Sequence, residues 1–172
     1  MKYNLILNVL LFITLGTCSS SKKVTGNLKD LKQEAKAFSL SIIESYFTED
    51  CKKHYNSMSD SILIMDGDGI FSKIGKEDKL CRSVKKAIRD KEKTFQDYID
   101  SYNIEILTPD ELTKKFNKSL PDYYKTTDSD LFFIGYEFKQ GKERIDNFIW
   151  DDMFIFMVRK ENQIWTIKGV SG

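Results

Sequence analysis

Cys51 and His54 are the residues whose types and spacing point most directly to chemistry. Three positions apart, they would lie on one side of a short helix, where an imidazole can take a proton from a thiol and generate a nucleophilic thiolate. Such catalysis also needs a group that orients the base and a site that stabilises an oxyanion, and the sequence indicates neither. We therefore predict a surface histidine beside a structural cysteine.

Acidic residues form the second candidate cluster. Asp66 and Asp68, with Glu77 eleven residues after Asp66, match the two ends of a calcium-binding loop. That loop also needs an oxygen ligand at its fifth position and glycine at its sixth, and these positions hold Ile70 and Phe71. A calcium site is therefore excluded, and no metal or other cofactor is predicted. The simplest role for Asp66 is a turn residue whose carboxylate accepts hydrogen bonds from nearby backbone amides.

The N-terminal segment carries a third signal. Lys2 precedes an apolar run, Leu5 to Leu15, that is too short to span a bilayer. The run ends in Leu15-Gly16-Thr17-Cys18, which resembles the lipobox of bacterial lipoproteins. The resemblance implies that Cys18 becomes the new N-terminus and carries the lipid, although Thr17 departs from the Gly, Ala or Ser that usually precedes this cysteine. The alternatives are an uncleaved anchor and an ordinary signal peptide cut elsewhere.

These signals divide the chain into three parts. We predict a signal peptide over residues 1–17, a lipidated polar tether over residues 18–27 and a single domain over residues 28–172. The mature protein would be anchored to a membrane of the bacterial cell envelope through Cys18, and no sorting signal indicates which face.

The numbers of basic and acidic residues indicate which classes of partner the chain can bind. Removing residues 1–17 takes away one of the 27 basic residues and none of the 26 acidic residues, so the mature chain has no net charge. The lysines are interleaved with acids, as on solvent-exposed helix faces, and form no basic stripe. This pattern excludes a nucleic-acid partner.

Two cysteines remain in the domain once Cys18 is lipidated. An even number of cysteines in an oxidising compartment favours a disulfide, with two buried thiols as the alternative. We predict a bond between Cys51 and Cys81 that joins a short second helix to a long third helix.

Hydrophobic periodicity predicts helices in the first part of the domain. Apolar residues at alternating steps of three and four predict an amphipathic helix from Asn27, as N-cap, to about Phe47. A second, short helix follows from Thr48 to about Tyr55, and a third runs from about Lys76 to Tyr102. Thr108 and Glu111, with proline after the threonine, form a capping box for one more short helix.

Strands are predicted where aromatic and β-branched residues cluster. The predicted strands are Ser61 to Met65, Asn103 to Leu107, Leu131 to Phe138, about Arg144 to Arg159, and Ile164 to Val170. Helices followed by hairpin-linked strands indicate an α+β domain in which a curved antiparallel sheet wraps the long helix.

The order of these elements resembles the nuclear transport factor 2-like superfamily, which includes ketosteroid isomerase-like cone folds. The resemblance rests on the segment from Asp60 to Gly69, on Ile74-Gly75-Lys76-Glu77 opening a helix, and on the last strand from Ile164 to Gly169. It implies a cystatin-like cone, with N-terminal helices packed on a curved antiparallel sheet and a ligand site at the open end. The segment from Leu107 to Tyr124 fits this pattern poorly, and its part in any site stays open.

The resemblance also implies where an enzyme of this kind would hold its catalytic groups. A carboxylate at the end of the first strand is the general base in the isomerases of the superfamily, and Asp66 matches it. Two hydrogen-bond donors stabilise the oxyanion there, and the matching positions here are Ile42 and Phe154, which cannot donate. Asp152, on the strand face of Phe154, and Tyr46, one helical turn after Ile42, are displaced alternatives. No catalytic residue is therefore assigned.

Three functions remain open from the sequence. The preferred one is a non-catalytic envelope lipoprotein that binds a small apolar ligand or an envelope protein through its cone-fold domain. The second is a small-molecule isomerase or dehydratase with Asp66 as general base. The third is a partner-specific inhibitor or immunity-type protein.

Overall fold

A computed structural model describes residues 27–65, 67, 69–88, 91–117, 126–139 and 153–171. The predictions for Cys18, Asp66, Asp68 and Asp152, and for the strand before residue 153, lie outside these ranges. The elements that the ranges contain are α1 (Leu28–Phe47), α2 (Cys51–Asn56), β1 (Met58–Ile64), β2 (Gly69–Ser72), α3 (Glu77–Lys86), α4 (Phe95–Ser101), β3 (Tyr102–Leu107), α5 (Pro109–Phe116), β4 (Asp130–Phe138), β5 (Met153–Glu161) and β6 (Ile164–Ser171).

The strands form one curved sheet in the order β2-β1-β6-β5-β4-β3. Each neighbouring pair is antiparallel except β1 and β6, which run parallel. The order of helices, hairpin and terminal antiparallel strands is that of the cone fold predicted from the sequence. The α+β class and the cone architecture are therefore confirmed.

The two faces of the sheet bury different sets of side chains, because successive residues of a strand point to opposite faces. Phe133 and Phe156 lie on the inner face, in one core with Ile42 of α1. Phe132 and Ile134 lie on the outer face, where they pack with Leu112 of α5 and Met157 of β5. The outer face is therefore covered in part by the segment after Leu107 that fitted the family pattern poorly. 

Local capping signals correctly predicted the starts of two helices. The side chain of Asn27 accepts a hydrogen bond from the backbone amide of Lys29 at the start of α1. Thr108 and Glu111 form the predicted capping box of α5. No helix among the described residues is long and apolar enough to cross a bilayer.

The long third helix predicted from Lys76 to Tyr102 is wrong, because the chain forms two helices there. α3 ends at Lys86, and α4 begins after Thr94, whose side chain forms a capping box with Asp97. The apolar period continues across the break because Ile88 and Phe95 both reach the same core from separate segments.

Two element boundaries and one short strand also differ from the prediction. α2 starts at Cys51 with Asp50 as its N-cap, not at Thr48. β1 starts at Met58, three residues before Ser61, because it also pairs with β6 through Met58. β2 was not predicted at all, since its four residues are too few to show a period.

The predicted disulfide is present between Cys51 of α2 and Cys81 of α3. Their Cα atoms lie 4.7 Å apart, within the usual range for a disulfide. The bond ties the six-residue α2 to α3, beside the first helix.

Candidate functional site

His54 is buried, with 3% of its surface exposed, so the prediction of a surface histidine is wrong. Its Nε2 atom lies 3.3 Å from the hydroxyl oxygen of Tyr46, and the two ring centroids are 4.7 Å apart. One turn of α2 brings both Cys51 and His54 to the side of α2 that packs against the neighbouring helices. Sequence spacing placed them on one side but gave no sign that this side is the inner one.

The Tyr46–His54 pair lacks the properties of a catalytic pair. Burial lowers the pKa of His54 to about 4 and raises the pKa of Tyr46 far above its ordinary value. Cys51 is held in the disulfide, so it supplies no thiolate. Among the described residues, no group of three His, Cys, Asp or Glu side chains is placed to hold a metal ion.

Acid is expected to destabilise the fold through His54, the one histidine of the chain. The folded-state pKa near 4 lies below the unfolded value of about 6.5, so the unfolded chain binds the proton first as the pH falls. The stabilising contribution is complete above about pH 6.5 and is lost as the pH falls toward 4, a change of about 3 kcal/mol.

Urea unfolding at several pH values between 7.5 and 4.5 measures this loss. The variant His54→Gln keeps a polar side chain near Tyr46 but does not titrate, so its stability should fall much less over the same interval. Carboxylates with lowered pKa, such as Glu105 and Glu111, lose their stabilising contributions mainly below this pH interval. Their effect is the same in both proteins. Identical pH slopes for the two proteins would contradict the assignment.

Aromatic side chains fill the inner face of the sheet where the isomerase resemblance places its donors. Ile42 and Phe154 are completely buried. The Phe154 ring packs 5.8, 6.3, 5.6 and 5.8 Å from the rings of Tyr98, Tyr102, Phe133 and Phe156. Gly135 permits this packing, because a Cβ atom there would lie 2.2 Å from Cε1 of Phe154. These residues form packed core.

An apolar cavity of about 260 Å³ opens beside Trp165, and we call it the Trp165 cavity. It lies between the first turn of α1, the turn that precedes β4 and the hairpin that joins β5 to β6. Its lining residues are Leu28, Leu31, Leu131 and Trp165, with Asp128, Ser129 and Lys160 as the polar members. The described residues between Leu107 and Asp128 do not line this cavity.

Glu34 of α1 fixes the wall that carries Trp165. Its carboxylate accepts hydrogen bonds from Nζ of Lys160 and, at 3.2 Å, from Nε1 of Trp165. The hydrogen bond from Lys160 is the main cause that holds the pKa of Glu34 below its ordinary value. The Trp165 ring also stacks on Phe38, with centroids 6.4 Å apart. The hydrogen bond to Glu34 and the stacking on Phe38 therefore both hold the indole ring of Trp165 in place.

Asp130 fixes the opposite rim of the Trp165 cavity. Its buried carboxylate accepts hydrogen bonds from Nε and Nη2 of Arg159 at 2.6 and 2.9 Å. It also accepts the backbone amide of Thr127 at 2.6 Å. These hydrogen bonds anchor the turn that carries Asp128 and Ser129 to β5. They hold this side of the cavity rim in place.

The Trp165 cavity lies far from Met65, the last described residue before Asp66. Met65, the residue before Asp66, donates its amide to the carbonyl oxygen of Val170, near the end of β6. Trp165 lies near the start of β6, and five residues of strand span roughly 16 Å. Of the displaced catalytic set, the structure describes Tyr46 alone, and its hydroxyl lies against His54.

Comparison with solved structures finds likenesses of fold. The chain is similar to an NTF-2 like protein of unknown function from Shewanella oneidensis MR-1, with a TM-score of 0.39 and 11% identity, covering 81% of this chain and 95% of that one. It is similar to a domain of unknown function with a cystatin-like fold from Nostoc punctiforme, with a TM-score of 0.40 and 9% identity, covering 86% and 77%. It is also similar to a proposed aromatic ring hydroxylase from Novosphingobium aromaticivorans, with a TM-score of 0.41 and 8% identity, covering 85% and 89%.

No protein-family model and no curated protein matches the chain. Similarities at this level assign no activity, so the function has to be argued from the cavities and side chains themselves.

Proposed function

We propose that this chain is a non-catalytic lipoprotein of a bacterial envelope whose domain binds a small apolar ligand in the Trp165 cavity. The observation that carries the proposal is the cavity itself, with a lining of three leucines and an indole and a rim of polar groups. A concave apolar site with a few polar groups at its edge is the usual form of a small-molecule site.

The size of the cavity sets the size of the ligand. An apolar cavity of about 150 Å³ accommodates benzene. A volume of about 260 Å³ therefore fits a bicyclic aromatic molecule or a short branched hydrocarbon. Glu34 already engages Lys160 and Trp165, so the polar rim favours an uncharged ligand whose hydroxyl group can reach Asp128 or Ser129.

The absence of suitable donors supports a binding role over catalysis. The two positions that match the oxyanion donors of the isomerases hold buried Ile42 and Phe154. Removing one such donor typically costs an enzyme about a hundredfold to a thousandfold in rate. The enzyme alternative still rests on Asp66 and Asp152, and no contact of the described residues favours it.

Titration with 2-naphthol is expected to change the fluorescence of Trp165. The chain has two tryptophans, so Trp150→Phe leaves Trp165 as the single reporter. In this background, Leu28→Gln should weaken binding about tenfold, since losing about 50 Å² of apolar contact at about 25 cal/mol per Å² has that effect. Leu28 is 49% exposed, so the substitution should not disturb the core.

Ile74→Gln is the matched control, because Ile74 is 67% exposed and does not line the cavity. It should bind 2-naphthol as the parent does. An unchanged emission at saturating 2-naphthol, or equal weakening in both variants, would refute binding in the Trp165 cavity.

A further inference from the structure

A second cavity, of about 270 Å³, lies at the sheet edge formed by β3. We call it the edge cavity. α1 forms one wall, and the junction between α4 and β3 forms the other. Its lining residues are Lys36, Leu40, Ile99, Tyr102, Asn103, Ile104 and Lys139. It shares no lining residue with the Trp165 cavity.

The charged groups of the edge cavity are both cationic. Lys139 is held at the cavity because its Nζ donates to the carbonyl oxygen of Ile99 at 2.9 Å and its amide donates to that of Ser101 at 2.8 Å. Lys36 lies on α1 at the other wall, and the other polar groups of the lining side chains are the amide of Asn103 and the hydroxyl of Tyr102. The described residues of the lining include no carboxylate.

These two lysines differ from those beside the Trp165 cavity and on the outer face. Lys160 pairs with Glu34, Lys115 with Glu105, and Lys168 with Glu161. Within the ranges that the structure describes, neither Lys36 nor Lys139 takes part in an ion pair. The edge cavity therefore carries uncompensated positive charge.

The floor of the edge cavity combines apolar side chains with polar groups and is well supported. Tyr102 is 1% exposed, and its ring stacks on Tyr98 with centroids 4.8 Å apart. Leu40, Ile99 and Ile104 are half-buried and pack against the main core. A ligand that rests on this floor displaces water from apolar surface and brings an attached anion toward the two ammonium groups, where reduced solvation strengthens the attraction.

We propose that the edge cavity binds a small amphiphilic carboxylate, with its apolar body on Leu40, Ile99 and Ile104 and its carboxylate between Lys36 and Lys139. Charge complementarity argues for this occupant, since two cations without an acid select one anionic group. The volume limits the apolar body to about two fused rings or a short alkyl chain. This site is independent of the ligand proposed for the Trp165 cavity.

Calorimetric titration of the full chain with 2-naphthoate, and with uncharged 2-naphthamide, tests the proposal. Naphthoate should bind at least tenfold more tightly than the amide, because a charge-assisted hydrogen bond contributes about that factor. Lys36→Gln and Lys139→Gln should each weaken naphthoate binding about fivefold to tenfold, and Lys36→Arg should retain most of it. Both lysines are exposed, so the melting temperature should not change.

Lys52→Gln is the matched control, since Lys52 is an exposed lysine of α2 outside the edge cavity and its loss changes the net charge equally. It should leave naphthoate binding unchanged. Leu28→Gln should also leave it unchanged, which separates this site from the Trp165 cavity. Equal affinities for naphthoate and naphthamide would overturn the proposal, and so would an equal loss in Lys52→Gln and Lys36→Gln.

Discussion

Replacing both Cys51 and Cys81 with Ser is expected to lower the free energy of unfolding by about 3–4 kcal/mol. The bond joins residues separated by 30 positions, and removing the constraint that it places on the unfolded chain predicts this magnitude. Natural domains of this size are stable by only about 5–15 kcal/mol, so the loss is a large share of the total.

The consequence should be greatest in α2. A helix of six residues is not stable alone, and α2 depends on its contacts with α3 and α1. α2 also carries His54, whose burial against Tyr46 requires the helix to stay in place. Hydrogen exchange at the amides of α2 should therefore rise more than exchange at the central strands β5 and β6.

Urea unfolding with and without reductant supplies the measurement and an internal control. Wild-type protein in reductant should fall to the stability of the double variant, which reductant should not affect. A difference below about 1 kcal/mol between oxidised wild type and the double variant would mean that the bond is not a stabilising constraint.

The sequence predicts those parts of the fold that local chemistry determines. The Asn27 cap and the Thr108–Glu111 box are complete within four residues, so they do not depend on the rest of the chain. The disulfide followed from counting cysteines in an oxidising compartment. The order of helices and strands then sufficed for the α+β class.

Helix continuity was not predictable from periodicity alone. Ile88 and Phe95 continue one apolar period although the described residues between α3 and α4 are not helical. The box formed by Thr94 and Asp97 marks the start of α4, and it is the local signal that identifies the break. A capping signal inside a long apolar period therefore deserves more weight than the period.

The cavities depend on tertiary structure, which explains why sequence reasoning did not find them. The Trp165 cavity joins Leu28 and Leu31 to Leu131 and Trp165, which lie at least 100 positions away in the chain. In sequence, each of these residues is typical of core. Trp165 packs on Phe38 with one side and lines the cavity with another. Asp66, which matches the base of the isomerases, lies outside the described ranges, and its role stays a prediction.

One lining residue of the Trp165 cavity lies close along the chain to Cys18, the predicted lipid anchor. Leu28 lines the cavity and is the first residue of α1. Leu28 lies ten positions after Cys18, and an extended chain over that distance reaches about 35 Å at most. If Cys18 carries the lipid, the cavity is held near the membrane surface, where apolar molecules concentrate.

Replacing Cys18 with Ser is expected to abolish lipid attachment completely and to release the protein from the membrane or leave it unprocessed. Each methylene buried in the bilayer contributes about 0.8 kcal/mol, so losing the acyl chains removes the anchor. Labelling with a radioactive fatty acid, followed by separation of membrane and soluble fractions, measures both effects. Cys51→Ser is the matched control, because it makes the same chemical change at a cysteine of the folded domain and should keep the label. An unlabelled wild type in the membrane fraction, or label retained by Cys18→Ser, would show that Cys18 is not the lipid anchor.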